Sequence, residues 1–489
     1  MNRFNIFEQY LFIGINICDG KTKIGFAPNK VSICGLYPMP GRVLIISYYW
    51  PPTGGSGVQR WVKFSKYLPA EGWQPVIYTP SNPEMITVDE SLAAEVPAEV
   101  EVIRRKIFEP YGIWRALSGN KGGSTKGEVN PINAGKKSFK QKLSIFIRGN
   151  FFIPDPRCLW VRPSVRFLKK YLKEHPVDAI VSTGPPHSMH LIARKLSLAT
   201  GIPWVADFRD PWTRMFYFKH LGLTGRSERR HHKLEKQVLD DASVVVAVSP
   251  PVQRDFQSMT DTPVRLITNG YDESDYESCP EEATDGYFRI SHTGLFAADG
   301  IPETLWRVLA DKSEADEDFS NALRICLAGK TDSAVIHSIR MAGLGEKLVD
   351  RGYQPHLEAV REQKRANILM LPLRMEPEYK SVLPGKLFEY LAARRPVLGI
   401  GQSNGAMAAI LKECKAGTAC DWDDYGGIKK FVDAAWDEFR EGRDEFKGED
   451  ISRFSRRRLS HEMASLLDSI SQKGDDKPIS DKKAKKNER

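Results

Sequence analysis

The chain has 489 residues, of which 41% are hydrophobic, and a formal net charge of +9. This length and apolar content suffice for two ordinary cores, so we expect two domains. No run of about 18 apolar residues could span a bilayer, and the seven cysteines show neither a C-x-x-C pair nor the spacing of metal ligands. The composition argues against an integral membrane protein and a structural zinc site, and we expect a cytoplasmic protein without a bound metal.

Both ends of the chain differ from the part between them. Residues 1–40 have no clear hydrophobic period, and we treat them as an extension of doubtful order in which Met39 is the expected natural start. Residues 473–489 are strongly basic and carry almost no apolar side chains, which predicts a disordered tail.

Short apolar strands alternate with amphipathic helices over residues 41–270. The first strand, Val43–Ser47, is buried on both faces, and the helix Gly57–Leu68 follows it with one apolar stripe. Further strands are predicted at Pro75–Tyr78, Asp178–Ser182, Trp204–Asp207 and Ser243–Val248, and further helices near Pro163–Lys173 and at His187–Thr200. Buried strands separated by helices predict a parallel sheet that is covered on both faces.

The alternation stops at the turn Ile267–Gly270 and restarts over residues 285–440. The predicted strands there are Phe288–Ser291, Leu323–Leu327, Leu348–Asp350, Ile368–Leu373 and Pro396–Ile400, and the predicted helices are Glu303–Leu309 and Lys386–Ala393. A last helix within residues 447–472 is expected to pack back across both units. Two doubly wound α/β domains place a ligand cleft between the carboxyl ends of their sheets.

A glycine-rich turn joins the first strand to the first helix, in the sequence Tyr48-Tyr-Trp-Pro-Pro-Thr-Gly-Gly-Ser-Gly57. Glycines let the backbone approach a bound group closely, and the start of the helix offers N–H groups to an anion. The turn matches neither the dinucleotide fingerprint G-x-G-x-x-G nor a P-loop. It therefore binds a different phosphate ligand or serves only the path of the chain.

Two more segments place polar side chains at the carboxyl ends of strands. His187 would lie in the first turn of its helix, where an imidazole could bind a sugar hydroxyl or move a proton; helix capping is the alternative. Asp207, Arg209 and Asp210 follow the next strand and could act on a substrate, or form an Asp–Arg pair that only holds the loop. Because Arg209 stands between the two acids, a divalent ion is not expected there.

The clearest candidate is the helix that begins after Pro384-Gly385. Its apolar side chains form a core face and leave Lys386 and Glu389 together on another face. Such a pair is commonly a surface ion pair worth a few tenths of a kcal/mol, but the start of this helix opens on the expected cleft. There Lys386 can neutralise a diphosphate leaving group, and Glu389 can hold ribose or sugar hydroxyls.

Together these segments resemble glycosyltransferase family 4, in particular bacterial enzymes that build surface polysaccharides. The resemblance covers residues 42–436 and rests on the Tyr-Trp-Pro-Pro…Gly-Gly-Ser-Gly turn, on Ala206-Asp-Phe-Arg-Asp-Pro-Trp212 and on Pro384-Gly-Lys-Leu-Phe-Glu-Tyr-Leu-Ala-Ala393. It implies a GT-B fold with two Rossmann-like domains, a nucleotide-sugar donor bound mainly by the second domain, and retention of anomeric configuration. It also implies that no metal or other cofactor is required.

The resemblance implies roles for single residues as well. By position, Gly55 and Gly57 would approach the donor phosphates, and Glu389 matches the family's second donor-binding carboxylate. The expected donor-binding residues are Gly55, Gly57, Gly294, Lys330, Lys386 and Glu389, and the expected catalytic residues are His187, Asp210 and Glu389.

Two features depart from the family pattern. The family's first carboxylate falls here on Ser381, and the stretch after Gly294, Leu-Phe-Ala-Ala-Asp-Gly, has no cation before Arg307. We therefore expect Lys386, together with Lys330, to carry most of the phosphate neutralisation, and an altered donor or weak activity would follow.

The segment from Arg104 to Arg148 contains eleven Lys/Arg residues and two acids. Its second half sets cations beside Phe139, Leu143 and Phe146, a pattern typical of a helix that lies on an anionic membrane; a solvated loop is the alternative. We expect residues 136–152 to contact the inner face of the cytoplasmic membrane peripherally. The expected acceptor is lipid-linked or a saccharide.

Other functions stay open at this point. A nucleotide-sugar epimerase of the same fold would need no acceptor groove, and a non-catalytic polysaccharide assembly factor would account for the two departures. The positive charge would also suit nucleic acid, but the sequence contains no recognised nucleic-acid-binding module, and we expect no such partner.

Overall fold

The computed structural model describes residues 40–84, 88–109, 139–279, 285–443 and 448–471. The expectations for residues 1–38, for Met39 and for the tail 473–489 lie outside the described residues, as does most of the basic segment before residue 139. The described residues belong to one compact unit that starts at Pro40.

The first half of the chain forms a seven-stranded sheet in which every pairing is parallel. Its strands are β1 (Gly41–Ile46), β2 (Trp73–Pro80), β3 (Glu101–Arg105), β4 (Ala179–Gly184), β5 (Trp204–Phe208), β6 (Val244–Ala247) and β7 (Val264–Leu266). They lie in the order β3-β2-β1-β4-β5-β6-β7. The order reverses next to β1, and this reversal is where open α/β sheets bind their ligands.

Helices cover both faces of this sheet. They are α1 (Ser56–Tyr67), α2 (Ser91–Ala94), α3 (Phe139–Phe151), α4 (Val161–Glu174), α5 (Ser188–Thr200), α6 (Gly225–Asp241), α7 (Pro250–Gln257) and α8 (Glu273–Glu277). The run of strand β1 is entirely apolar because both of its faces are buried. Leu44 and Ile46 pack in the core with α4 and α5, whereas Val43 and Ile45 pack in the core that contains Trp61 of α1.

The second half forms a six-stranded parallel sheet. Its strands are β8 (Phe288–Thr293), β9 (Leu323–Ala328), β10 (Leu348–Asp350), β11 (Ile368–Pro372), β12 (Val397–Ile400) and β13 (Gly417–Cys420), in the order β10-β9-β8-β11-β12-β13. Its helices are α9 (Glu303–Ala315), α10 (Glu317–Ala322), α11 (Ser333–Met341), α12 (His356–Arg365), α13 (Gly385–Ala392), α14 (Ala406–Glu413) and α15 (Tyr425–Arg440).

The last helix, α16 (Arg456–Ser471), returns to the first sheet. Its residues Leu459 and Met463 pack with Trp61 of α1, whereas Phe454, just before the helix, packs in the core of the second half. The chain thus crosses twice between the sheets, and the two crossings touch: the amide of Tyr271 donates to the carbonyl of Phe454 over 3.1 Å. Gly270 permits this approach, because a Cβ there would lie 2.1 Å from the Phe454 oxygen.

The predicted fold class, two doubly wound parallel α/β sheets, is confirmed. The strands that the sequence did not predict are β3, β7 and β13, and all three lie at sheet edges. An edge strand contacts one neighbour and buries less of its surface, so its apolar pattern is weak. Strand β3, for example, reads Glu-Val-Ile-Arg-Arg.

A buried ion pair links helix α1 to strand β5. The Arg60 guanidinium donates to both carboxylate oxygens of Asp207 over 3.2 and 2.8 Å, and both side chains are fully buried. Trp61 and Thr183 also donate to Asp207. Burial alone would raise the pKa of Asp207, but the charge of Arg60 outweighs this effect and the pKa is lowered. The alternative of a structural Asp–Arg pair is therefore realised at Asp207, but its partner is Arg60 rather than Arg209 of the same loop.

We expect Asp207→Ala to lower the free energy of unfolding by about 3–5 kcal/mol, because it leaves the buried Arg60 charge without its counter-charge. Urea unfolding followed by tryptophan fluorescence measures this loss. The matched control is Asp437→Ala, which removes the partner of Arg440 in an exposed pair and should cost less than about 1 kcal/mol. Equal losses in the two variants would contradict the structural role of the buried pair.

Candidate functional site

The loops after β5 and β11 meet, which brings the carboxyl ends of the two sheets together. The Phe216 ring lies 5.1 Å from the Tyr379 ring, and Lys219 Nζ lies 2.9 Å from Glu378 Oε1. The Arg374 guanidinium lies over the Phe216 ring at 4.7 Å. These contacts form one end of a cleft whose walls come from different sheets.

Lys386, in the first turn of α13, lies on the second wall of this cleft. Its ammonium donates to the carbonyl of Leu295 over 2.6 Å and to His292 Nε2 over 2.9 Å. His292 Nδ1 in turn lies 3.1 Å from the carbonyl of Met370, so the neutral ring carries its proton on Nδ1 and accepts from lysine on Nε2. Burial, aided by the charge of Lys386, lowers the pKa of His292 to about 3.

The Lys386 ammonium keeps a donor for a ligand. An ammonium has three N–H groups, and two of them are used by Leu295 and His292. Burial lowers the pKa of Lys386 to about 8, against the opposing charge of Glu389. The group is therefore mainly protonated at neutral pH and gives this wall a positive charge.

Gly294 and Gly329 let two loops of the second sheet lie close to Lys386. A Cβ on Gly294 would lie 2.9 Å from Lys386 Cε, and a Cβ on Gly329 would lie 2.1 Å from the Gly294 oxygen. Both glycines have positive φ, +83° and +154°, so the two loops need glycine for conformation as well as for space. Lys330 follows Gly329 directly and has an exposed side chain. Gly294, Gly329 and Lys386 thus pack together, and Lys330 is the next residue along the chain; we call this group the donor cluster.

Glu389 lies one turn along α13 and is half-buried. Gln363 Nε2 donates to its carboxylate over 3.4 Å, and the Tyr276 hydroxyl donates to its backbone carbonyl over 2.8 Å. The Glu389 charge also acts on Arg456, whose pKa is lowered to about 9 by burial and by the nearby Arg60 charge. Glu389 therefore lies between the donor cluster and the chain crossings.

The first wall of the cleft contains Gly55, Gly57 and Arg209. Gly55 has φ +110° and caps α1. A Cβ on Gly57 would lie 2.0 Å from Arg209 Nη1, and Arg209 Nη2 donates to the carbonyl of Pro185. Glycine at position 57 therefore makes room for the Arg209 guanidinium, a role that the sequence did not suggest.

The two histidines after β4 have different surroundings. His187 precedes α5 as its N-cap, is 5% exposed, and stacks on Trp212 at 4.8 Å with an interplanar angle of 2°. Among the described residues neither of its ring nitrogens has a hydrogen-bond partner. His190 instead accepts on Nδ1 from Ser182 Oγ over 2.8 Å, in the core. Burial lowers the pKa of both rings, to about 3 for His190, so both are neutral.

Asp210 is half-buried beside Arg209. Burial raises the pKa of this carboxyl, and Arg209 opposes the shift. Asp210 is also among the charges that, after burial, raise the pKa of Tyr379 on the opposite wall. Its carboxyl is thus within electrostatic reach of both walls.

Sequence reasoning missed Arg374, which forms an ion pair with Asp299 over 2.6 Å. It is the first charged residue after β11, at the same edge of the sheet as Lys386. This position after a buried strand was the available signal. The stretch after Gly294 has no cation of its own. Arg374 places one beside it, on the same wall as Lys386.

A further group of charges lies beside the chain crossings. Glu95, Asp272 and Asp275 are spaced closely enough for a metal ion, but the Lys63 ammonium lies 2.5, 2.8 and 3.2 Å from these carboxylates and supplies the opposing charge. His356 Nε2 approaches Asp275 Oδ2 at 3.0 Å. Burial alone would lower the pKa of His356, yet the hydrogen bond to Asp275 and the nearby Glu389 charge raise it to about 8.

Comparison with protein families gives one match, to part of the first half of the chain. Residues 133–275 match the model of Glycosyltransferase Family 4. The matched range contains His187 and the segment from Asp207 to Asp210. No curated protein matches the chain significantly.

Solved structures of similar fold cover most of the chain. Sucrose-phosphate synthase from Thermosynechococcus elongatus has a TM-score of 0.53 and 14% identity, covering 89% of this chain and 97% of that one. An α,α-trehalose-phosphate synthase (UDP-forming) from Burkholderia vietnamiensis has a TM-score of 0.55 and 11% identity, covering 89% and 100%. A variant of S. aureus TarM in complex with fondaparinux, α-GlcNAc-glycerol and UDP has a TM-score of 0.50 and 11% identity, covering 87% and 99%. These structural similarities establish the fold, which is GT-B.

The His356–Asp275 contact predicts a pH-dependent stability. The pKa of His356 is higher in the folded chain, about 8, than the roughly 6.5 of an unfolded histidine. Its contribution, about 2 kcal/mol, is therefore fully present below pH about 6.5 and is lost as the pH rises through about 8. The thermal unfolding midpoints of wild type and His356→Gln should differ at pH 6 and converge at pH 9.

The matched control for this measurement is His337→Gln, which changes an exposed histidine of α11. Its midpoint should follow the wild type at both values of pH. A difference between wild type and His356→Gln that stays constant with pH would contradict the charged His356–Asp275 contact.

Proposed function

We propose that this chain, a family 4 glycosyltransferase of the GT-B fold, transfers a sugar from a nucleotide-sugar donor to a lipid-linked or saccharide acceptor in surface polysaccharide synthesis. The observation that supports this most is the donor cluster of Gly294, Gly329, Lys330 and Lys386 at the carboxyl edge of the second sheet, one turn from Glu389. A nucleotide sugar presents a diphosphate and several hydroxyls. The cluster offers the Lys386 ammonium to the diphosphate, and the Glu389 carboxylate one turn along α13 can accept from hydroxyls.

The reaction would break the bond between the anomeric carbon and the diphosphate oxygen of the donor. A new bond forms from that carbon to the acceptor oxygen, on the same face when configuration is retained. The acceptor proton leaves on the released nucleoside diphosphate, so no oxidant or reductant is needed. Catalysis then comes from placing the two reactants together and from stabilising the negative charge of the leaving diphosphate.

Lys386 would stabilise that leaving charge. Its remaining N–H can donate to a phosphate oxygen, and its low-dielectric surroundings strengthen the attraction. Lys330 and Arg374 would add positive charge from the neighbouring loops. With this set of side-chain cations we expect transfer to need no divalent metal. Glu389 would accept hydrogen bonds from hydroxyls of the donor.

The first wall would hold the acceptor. Asp210 can accept a hydrogen bond from an acceptor hydroxyl and so orient it toward the donor. His187, neutral because it is buried, can accept or donate one hydrogen bond without the cost of burying a charge. Arg209, held over Gly57, keeps positive charge close to where the donor phosphates would enter.

We also propose that helix α3 lies on an anionic membrane surface. Leu143 and Phe146 are exposed on it, at 47% and 41% of their surface, and Lys142 is exposed beside them. Apolar side chains with an adjacent cation suit the headgroup region of a bilayer. Among the described helices none is long and apolar enough to span a membrane, so the proposed contact is peripheral.

Lys386→Ala should weaken the binding of the nucleotide-sugar donor about 10- to 100-fold, because it removes a charge-assisted hydrogen bond to phosphate. A panel of nucleotide sugars first identifies the donor, and calorimetry with that donor then measures its affinity for the wild type and the variant. In the wild type, the affinity for the donor should also fall as the pH rises through about 8, because Lys386 loses its proton there. Lys412→Ala, an exposed lysine of α14, is the control, and wild-type donor affinity in Lys386→Ala would refute the assignment.

Glu389→Gln should lower the turnover number about 100- to 1,000-fold while the thermal unfolding midpoint stays close to that of the wild type. Glutamine keeps the size of the side chain and loses its charge. Nucleotide release followed by mass spectrometry gives the rate, and Glu438→Gln on α15, an exposed position, should match the wild type. Wild-type turnover in Glu389→Gln would remove this residue from the reaction.

The same assay separates the alternatives that the sequence left open. Nucleotide release that requires an acceptor supports transfer. Interconversion of free nucleotide sugars without an acceptor supports an epimerase, and binding without turnover supports a non-catalytic assembly factor.

A further inference from the structure

Arg456, the first residue of α16, carries a buried charge that has no close partner. The residue is 4% exposed, and its Nη1 atom is buried without a hydrogen-bond partner among the described residues. Burial and the nearby charge of Arg60 lower the pKa of this guanidinium to about 9. An unpaired buried charge destabilises a folded chain, so its presence indicates a role other than stability.

The acids in electrostatic reach of Arg456 are Glu389, Asp272 and Asp275. Two of them already have a cation, because Lys63 Nζ lies 2.8 Å from the Asp272 carboxylate and 3.2 Å from that of Asp275. In the part of the chain that the structure describes, no ion pair holds Glu389. Arg456 and Glu389 are therefore the cation and the acid that remain when their neighbours have been paired.

The chain crossings hold the turn of α13 that carries Glu389. The Phe454 ring, in the second crossing, lies 5.0 Å from the ring of Phe388, the residue before Glu389. From the first crossing, the Tyr276 hydroxyl donates to the backbone carbonyl of Glu389 over 2.8 Å. Arg456 follows Phe454 by two residues, so the packing of the crossing against α13 brings its charge to this turn.

Lys386 competes for the same carboxylate. It lies three positions before Glu389 on α13, a spacing at which oppositely charged side chains commonly pair. In the structure its ammonium donates instead to the Leu295 carbonyl and to His292 Nε2, over 2.6 and 2.9 Å. An ion pair with Glu389 would occupy the N–H that Lys386 keeps for a phosphate and would offset its charge. The donor cluster therefore depends on keeping the two side chains apart.

Few other groups can hold Glu389 toward the crossings. The titratable groups in its electrostatic reach are Tyr276 of α8, His356 of α12, Lys386 and Tyr390 of α13, and Arg456 of α16. Burial raises the pKa of both tyrosines, which are therefore neutral. His356 is bound to Asp275, with 3.0 Å between Nε2 and Oδ2. Arg456 is the cation of this set that has no other partner among the described residues.

We propose that Arg456 is a positioning residue of the donor site, whose charge draws the Glu389 carboxylate toward the crossings and prevents its pairing with Lys386. This rests on the proposed function, in that it explains how the donor cluster stays ready for an anionic donor. Lys386 then keeps an N–H for a phosphate oxygen, and Glu389 keeps its oxygens for hydroxyls. Arg456 acts through Glu389 and does not itself touch the donor.

The first test needs no ligand. NMR of the full chain with isotope-labelled lysine follows the pKa of Lys386, and Lys386→Arg assigns its signal. Arg456→Met should raise this pKa by about one unit or more, because Glu389 then pairs with the ammonium. Loss of the Arg456 charge alone would raise the pKa equally in a Glu389→Gln chain, so the difference between the two chains measures the coupling. Equal shifts in both chains would overturn the proposal.

The second test measures nucleotide affinity by calorimetry. UDP, GDP and ADP are offered in turn, and the one that the wild type binds most tightly is used for the variants. Arg456→Met should weaken its binding about tenfold in the wild-type chain and less than about twofold in the Glu389→Gln chain. Arg456→Lys keeps the charge and should stay within about threefold of the wild type. Equal weakening by Arg456→Met in both chains would contradict an action through Glu389.

Thermal unfolding separates positioning from a merely structural role. Arg456→Met should not lower the unfolding midpoint, because it removes a buried charge without a partner. Arg456→Gln also removes the charge and keeps the test valid if the methionine variant does not fold. The control is Arg458→Met, which changes an exposed arginine of the same helix and should leave nucleotide affinity unchanged. A lower midpoint together with equal losses of affinity in both chains would make Arg456 a structural residue.

The two tests also separate this proposal from the proposed function. Acceptor-dependent nucleotide release in the wild type, with an unchanged Lys386 titration in Arg456→Met, would refute only the positioning role. A coupled shift of the Lys386 titration in a chain that turns over no nucleotide sugar would refute only the transfer.

Discussion

The buried ion pair between Arg60 and Asp207 is the constraint on which the cleft depends. Moving two charges out of water costs several kcal/mol per ion, and only full hydrogen bonding offsets this. Here Arg60 also donates to the carbonyls of Ile267 and Thr268, over 3.0 and 2.6 Å, so one side chain fixes α1, the end of β5 and the start of the first crossing. With Asp207 satisfied in this way, Arg209 is left to extend over Gly57, and the first wall takes its shape.

The two crossings carry this constraint to the second sheet. They are joined at Tyr271, whose amide donates to Phe454 and whose carbonyl accepts from the amide of Arg456 over 2.7 Å. The charge of Arg456 is buried close to Glu389, and His356 responds to the same carboxylate. The charged groups that hold the sheets together and the carboxylate proposed to hold the donor therefore share one electrostatic environment.

The sequence predicted what depends on local pattern. Apolar strands such as Val43–Ser47 fixed the parallel sheets, and the Pro384-Gly385 turn located the start of α13. Local patterns could not predict contacts between residues that are distant along the chain. Arg60 lies 147 residues from Asp207, and the contact of Gly57 with Arg209 depends on the order β1-β4-β5, which no local pattern encodes. The stacking of His187 on Trp212 could not be predicted for the same reason, because the start of α5 and the loop after β5 are brought together only by folding.

The departures from the family pattern look different once the second wall is known. Ser381 replaces a carboxylate, and the stretch after Gly294 lacks a cation. The burial of Lys386 nevertheless makes its charge count for more, because Coulomb energies rise as the local dielectric falls. Burial lowers the pKa of Lys386 to about 8. His292 stays neutral and accepts a hydrogen bond from the ammonium, which stabilises the buried charge. A diphosphate that enters such a site would raise the pKa of the lysine again, since opposite charges favour the protonated form. Under the proposed function, protonated Lys386 would therefore be most stable when the anionic donor is bound.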